Sequence, residues 1–258
     1  MNIFWLEETD ADVPSENDWL TPSEVLRVNA MRFAKRRSDW RLGRWTAKLA
    51  LATYLQWPRS HDCLANLEIR SDPSGAPLAL VEGMVGKLTL SISHRAGVAI
   101  CAIAPWATPL GCDLEIAEPR CDAFVSDYFS VEEQHDIARA PIEDRSWLIA
   151  LLWSAKESAL KALQQGLRLD TRCVSVTLAE LTSSGRECEF GSGETFVSGC
   201  VAPTSRDSWH QLHVRCLHGE SFTGFWQHTG EFIRTVVASP SPQSPIYLSR
   251  RWLSSETE

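Results

Sequence analysis

The tetrapeptide Trp45-Thr-Ala-Lys48 returns 108 residues later as Trp153-Ser-Ala-Lys156, and ten positions after each tryptophan stands a leucine, Leu55 and Leu163. Both copies lie in helical patterns and both precede strand-rich stretches. In the second, Leu148, Leu152, Ala155, Ala159 and Leu163 recur at three- and four-residue steps, one apolar face of a helix over residues 146–165. Gly166 is placed to stop it in the left-handed conformation. The first copy predicts a helix over residues 38–56, halted at Pro58. The fold expected is α+β: two similar α+β halves in a pseudo-two-fold arrangement, each with a long helix packed on an antiparallel sheet. After the shared lysine the copies part, with Leu49 in the first and Glu157 in the second. Only the second half then carries a full set of carboxylates, and a single site is expected.

At 258 residues the chain can hold two small cores. The division expected is 1–108, 109–238, and 239–258 as a linker and tail, since residues 239–245 alternate serine and proline around one glutamine. The first residues lack a basic and apolar leader pattern, and the longest uncharged run, 96–112, is broken by Pro105 and Pro109. A cytoplasmic monomer with no membrane partner is expected. Eight cysteines without a Cys-x-x-Cys pair read as reduced thiols rather than a disulfide framework. His210, His213, Cys216 and His218 match no zinc spacing and read as structural.

Net charge is −8, yet residues 27–48 hold eight basic residues against Asp39 alone. Within them Arg37, Arg41, Arg44 and Lys48 share a helix face. Such a face is either a solvated stripe or a seat for an anion. Thr21-Pro-Ser-Glu24 is a capping box opening a helix toward residue 35. Leu88 to His94 alternates as a strand, with Leu88, Leu90, Ile92 and His94 on one face and Thr89, Ser91 and Ser93 on the other; residues 95–97 turn it into a second strand over 98–104. Residues 110–116 alternate too, placing Gly111, Asp113 and Glu115 on one face with the two carboxylates roughly 7 Å apart. That spacing suits a hard cation, or a solvated strand face. On the second helix Trp153, Glu157 and Lys161 form a stripe that is either a Glu–Lys surface pair or a place for chemistry. Further strands are expected over 173–178, 211–217 and 221–226.

Taken together, Gly111-Cys-Asp-Leu-Glu115 and Trp153-Ser-Ala-Lys-Glu-Ser-Ala-Leu-Lys161 resemble the G-[IV]-D-x-E and W-x-x-K-E-x-x-x-K motifs of the 4′-phosphopantetheinyl transferases, in their single-chain, pseudo-dimeric (surfactin-synthetase-activating) form. Phe129-Ser-Val-Glu-Glu133 resembles the F-S-x-x-E motif and Ser91-Ile-Ser-His94 the [SN]-x-S-H motif. The likeness covers about residues 33–176. The chain departs from the usual pattern at Ala76, where many relatives have lysine, at Arg95, where most have serine, and at Gln134, often an aromatic.

The resemblance implies transfer of the 4′-phosphopantetheine arm of coenzyme A to a serine of an apo acyl or peptidyl carrier protein, in fatty-acid, polyketide or peptide synthesis, releasing adenosine 3′,5′-bisphosphate. It implies Mg²⁺, or Mn²⁺, on Asp113, Glu115 and Glu157. Coenzyme contacts fall to Arg37, Arg44, Lys48, His94, Lys156 and Lys161; Arg95, where the chain departs from the family, could add a phosphate contact of its own. The general base is left open between Glu157, Glu133 and a metal-bound water, and Lys156 and Lys161 would neutralise phosphate oxygens. Two alternatives stand beside it. One is a carrier-binding relative without catalysis. The other is a nucleic-acid module using the basic helix with Trp40 and Trp45 as stacking platforms.

Overall fold

The computed structural model describes residues 1–165, 168–178, 208–217 and 219–249. The chain opens with β1 (Phe4–Thr9), α1 (Pro22–Asn29), α2 (Ala34–Tyr54) and α3 (His61–Leu64). It continues through β2 (Leu67–Ser71), β3 (Pro77–Val81), β4 (Met84–Val85), β5 (Leu88–Arg95) and β6 (Val98–Pro105). A second run follows: β7 (Leu110–Ile116), α4 (Asp122–Tyr128), α5 (Val131–Arg139), α6 (Ile142–Ala162), β8 (Val174–Leu178), β9 (His210–Cys216), β10 (Ser221–Thr229) and β11 (Phe232–Ala238). Each run is a strand, a short capped helix, a helix of 21 residues, then strands. In each, the opening strand pairs antiparallel with the closing one, β1 with β6 and β7 with β11. The second sheet is continuous, β7-β11-β10-β9-β8; in the first run β2-β3-β4 stands apart from β1-β6-β5. β12 (Ile246–Tyr247) lies parallel to β1, so the stretch after residue 239 returns to the first half. The fold class is α+β.

Helices flank the two sheets. Leu6, Cys101 and Ile103 pack toward α2 in one core, while Leu148, Leu152 and Ala155 of α6 pack on Val174, Leu212 and Val237 in another. The remaining faces of the sheets meet in a third core, where Ile3, Trp5 and Ile100 touch the Leu110, Cys112, Leu114 and Val236 side. Strand alternation dictates this: β7 gives its apolar residues to the third core and turns Gly111, Asp113 and Glu115 to α6. A Cβ on Gly111 would sit 1.7 Å from the Ser158 carbonyl oxygen, so the glycine is what lets α6 cross here. Ser154 and Ser158 of α6 bond the Thr235 hydroxyl of β11 at 2.8 and 2.7 Å beside it.

The long helices begin one turn earlier than their periodicity predicts, at Ala34 and Ile142, and α1 ends at Asn29 rather than near residue 35. Both end alike. Gln56 and Gln164 take left-handed backbone, with φ of 57° and 56°, and the following N–H closes on the carbonyl five residues back (Trp57 on Ala52, Gln165 on Leu160). The stop therefore falls before Gly166, which lies outside the described residues, as does His218.

A buried strut is also repeated. Thr21 caps α1 in a reciprocal box with Glu24, and Ser130 caps α5 in one with Glu133. Lys48 of α2 reaches Glu24 at 2.5 Å and the Trp19 carbonyl at 3.0 Å. Lys156 of α6 reaches Glu133 at 2.6 Å and the Tyr128 and Thr171 carbonyls at 3.4 and 2.9 Å. The first-half glutamate accepts the Ile69 N–H of β2; the Val176 amide of β8 acts on Glu133 in the same sense. In both halves one lysine thus ties long helix, capped helix and first hairpin strand together.

Candidate active site

Asp113, Glu115, Glu157 and Lys161 are brought together where β7 meets α6. Lys161 donates to Asp113 Oδ1 at 2.7 Å and to the Cys112 carbonyl at 3.0 Å. Ser93 of β5 donates to the same Asp113 oxygen at 2.8 Å. Asp113 Oδ2 and Glu157 Oε1 are buried and have no hydrogen-bond partner. Trp153 Nε1 donates to Glu115 Oε1 at 3.2 Å, one helical turn before Glu157. The acidic side chains feel one another. Burial, then the charges of Asp113 and Glu115, push the Glu157 carboxyl up to about 6, against the pull of Lys161. Glu115 is raised by burial and by Asp113. At Lys161 burial works to lower the ammonium, but Asp113, Cys112 and Glu157 together outweigh it and leave it raised.

Two orphan carboxylate oxygens in a region of concentrated negative charge fit a hard cation that takes a few protein oxygens and fills its shell from water and phosphate. They are not gathered as a closed cage. Among the described residues no three His, Cys, Asp or Glu side chains stand at metal-ligand spacing.

Next to this group a cleft of about 450 Å³ runs between the halves, walled by β5, the turn at residues 72–77, the 106–109 connection, and Lys161 and Gln164 at the end of α6. A recess of about 210 Å³ adjoins it through shared Gly75, Pro77 and Ile92, and its far wall holds Asp39, Trp40, Arg44 and His94. Arg44 lies 4.8 Å over the Trp40 ring, its Nε is buried without a partner, and it makes no hydrogen bond or ion pair to the described residues. Burial lowers its guanidinium to about 10, with Glu24 opposing. A desolvated cation facing a recess is a seat for an anion.

Several residues expected at the site are engaged within the protein or lie apart from both recesses. Lys48, Lys156 and Glu133 belong to the struts. Both lysines are fully buried and ion-paired, and Glu133 is the buried carboxylate that pairs with Lys156. Burial lowers both lysines and raises Glu133, each against its partner's charge. Arg37 is exposed at the start of α2, gives Nη1 to the Met31 carbonyl, and is absent from the walls of both recesses. Arg95, expected to face phosphate, engages Glu115 and Glu118 instead.

Sequence reasoning did not single out the serines of the Ser-Ile-Ser-His stretch. Ser91 Oγ accepts the Cys112 N–H at 2.9 Å while Ser93 holds Asp113, so β5 of the first half is stitched to β7 of the second through side chains. Their place on the polar face of an alternating strand was the available signal.

The family model for the 4'-phosphopantetheinyl transferase superfamily matches residues 109–199. A holo-[acyl-carrier-protein] synthase of Streptococcus agalactiae is 36% identical over 88 residues, 33% of this chain and 71% of that relative. The chain belongs to the 4′-phosphopantetheinyl transferase superfamily. A 4'-phosphopantetheinyl transferase, HetI of Nostoc sp., is 23% identical over 164 residues, covering 63% of this chain and 67% of its own length. A solved holo-(acyl-carrier-protein) synthase from Bacillus anthracis, in complex with CoA (3',5'-ADP), aligns with 40% of this chain and 92% of its own at TM-score 0.33 and 20% identity. The superfamily match falls on the half that carries Asp113, Glu115, Glu157 and Lys161. Among the described residues no helix is long and apolar enough to cross a membrane.

Proposed function

We propose that this transferase moves the 4′-phosphopantetheine arm of coenzyme A onto a serine of an apo acyl or peptidyl carrier protein, with Mg²⁺ or Mn²⁺, and releases adenosine 3′,5′-bisphosphate. The observation that carries the reading is the placing of two orphan carboxylate oxygens, Asp113 Oδ2 and Glu157 Oε1, beside Lys161, which lines the cleft whose adjoining recess holds the unpaired Arg44. One side is built for a cation, the other for phosphate. Asp113, Glu115 and Glu157 would hold the metal; bound there it supplies charge neutralisation at the pyrophosphate. Arg44 and His94 hold coenzyme phosphates in the recess. Lys161, kept protonated beside Asp113, faces the cleft and neutralises the transferring phosphoryl group. Ser93 fixes the direction of Asp113, and Trp153 that of Glu115. Glu157 takes the proton of the attacking serine directly or through water.

The nucleic-acid alternative needs a continuous basic face on α2. Arg41 is instead turned onto the carbonyls of Pro14, Ser15 and Glu16, and Lys48 is buried. Incubating the protein with coenzyme A, Mg²⁺ and a panel of apo carriers, then weighing the carriers by mass spectrometry, tests the proposal. A phosphopantetheine mass gain on at least one carrier is expected. Carrier binding with no gain under any condition would make this the non-catalytic relative.

A further inference from the structure

Of the three carboxylates, Glu115 alone has both oxygens engaged. Oε1 accepts from Trp153. Oε2 faces two guanidinium groups, Arg120 Nη2 at 3.3 Å and Arg95 Nε at 3.6 Å. The same arginines share a second carboxylate, since Arg120 Nη2 lies 3.2 Å from Glu118 Oε1 and Arg95 Nη2 bonds that same oxygen. The four come from different places: Arg95 closes β5, Glu115 lies in β7, and Glu118 and Arg120 follow β7. Arg120 also has a fixed seat, its guanidinium 5.1 Å over the Phe124 ring. Asp113 and Glu157, by contrast, each keep one buried oxygen with no partner.

We infer that Arg95 and Arg120 form a latch on Glu115 that competes with the divalent cation, so that cation affinity is set by exchange of guanidinium for metal at Glu115 Oε2. The inference rests on the metal reading above. Guanidinium groups on Oε2 take up acceptor directions of that oxygen and neutralise its charge, so they weaken it as a metal ligand. Two guanidinium groups beside the site also repel a dication. Glu118 makes the exchange reversible at low cost, because each arginine released from Glu115 still has a carboxylate partner and no cation is left unpaired. The Glu115 side chain is 13% exposed and that of Glu118 42%, so the latch moves the arginines from a sheltered partner to a solvated one.

The test is calorimetric titration of Mg²⁺, and separately Mn²⁺, into the metal-free protein without coenzyme or carrier. Arg95→Gln and Arg120→Gln should each tighten binding about three- to fivefold and the double variant about tenfold, the range of a partly exposed ion pair. Asp113→Asn should remove binding. Thermal melting checks folding; if Arg120→Gln melts early for want of its Phe124 contact, Arg95→Gln at the more exposed position still decides. Binding that is lost in Asp113→Asn but unchanged or weaker in folded Arg95→Gln overturns the latch and leaves the cation site standing. Absence of binding in every protein overturns both.

Discussion

The two halves solve one packing problem with the same parts and differ in what they place beside it. Lys48–Glu24 and Lys156–Glu133 are equivalent struts, each a long-helix lysine reaching a capping-box glutamate and the carbonyl two residues before the cap. The next residue is Leu49, buried in the first-half core, and Glu157, facing Asp113 and Lys161 across the second. Opposite them β1 shows Phe4 and Leu6 to its helix, whereas β7 shows Asp113 and Glu115. The shared lysine is therefore a buried strut in both halves, and the residue after it is where they part. On the proposed function, the first half contributes the Arg44 and His94 recess for coenzyme phosphates. The second strut is also the less satisfied: Glu24 uses both oxygens, while Glu133 Oε1 has no hydrogen-bond partner.

The sharpest break concerns close approach. Gly111→Ala drives a Cβ into the Ser158 carbonyl and should cost more than about 4 kcal/mol, enough to prevent a soluble fold. Gly43→Ala on α2 meets only the Ile92 side chain at 3.6 Å and should change stability by less than about 1 kcal/mol. Denaturant melts of the two variants compare the halves directly.

Next come the struts. Lys48→Met and Lys156→Met each leave a buried carboxylate unpaired and should lose about 3–5 kcal/mol. Glutamine keeps the capping box, so Lys156→Met/Glu133→Gln should regain most of the loss, and more fully than Lys48→Met/Glu24→Gln, because Glu133 starts with fewer hydrogen bonds. Equal recovery in both halves would mean that the difference in satisfaction has no energetic weight.

Much of this architecture was legible in the sequence. The repeat after each tryptophan located two helices in register, and the alternation in residues 110–116 put Gly111, Asp113 and Glu115 on one face, as observed. The fate of the basic stripe was not legible. Periodicity says which residues share a face but not what covers it. The segment before α1 covers the end of this face, so Arg37 stays outside, Arg41 hooks carbonyls, Arg44 lines a recess and Lys48 is sealed in. A signal existed: the capping-box glutamates, Glu24 and Glu133, sit 24 and 23 residues before their lysines. The short strands β2, β3 and β4 went unread because turn residues interrupt them, and β12 because it adds only two residues beside a distant strand.

A smaller effect separates binding from chemistry. Arg44→Lys keeps the charge but loses the planar fork. The KM for coenzyme A should rise about tenfold with kcat and the carrier KM within about twofold; a rise confined to the carrier would move Arg44 to a protein interface. Of similar size is the electrostatic strain at Glu157. Its folded-state value near 6 lies above the ordinary 4.5, so the native state binds this proton more tightly than the unfolded chain. Below about pH 4.5 the group is neutral in both states and costs nothing. As pH rises through 6 it ionises against burial and stability falls by at most about 2 kcal/mol. In EDTA, Glu157→Gln should therefore be more stable than wild type at pH 8 by up to that amount, and equal to it near pH 4.

The central claim, that the chemistry belongs to the carboxylates of the second half, is tested most directly by mass-spectrometric turnover of an apo carrier by Asp113→Asn at saturating coenzyme A and Mg²⁺. A protein that melts like wild type yet transfers at least about a hundredfold more slowly is the result this structure predicts. Turnover within about threefold of wild type would contradict it.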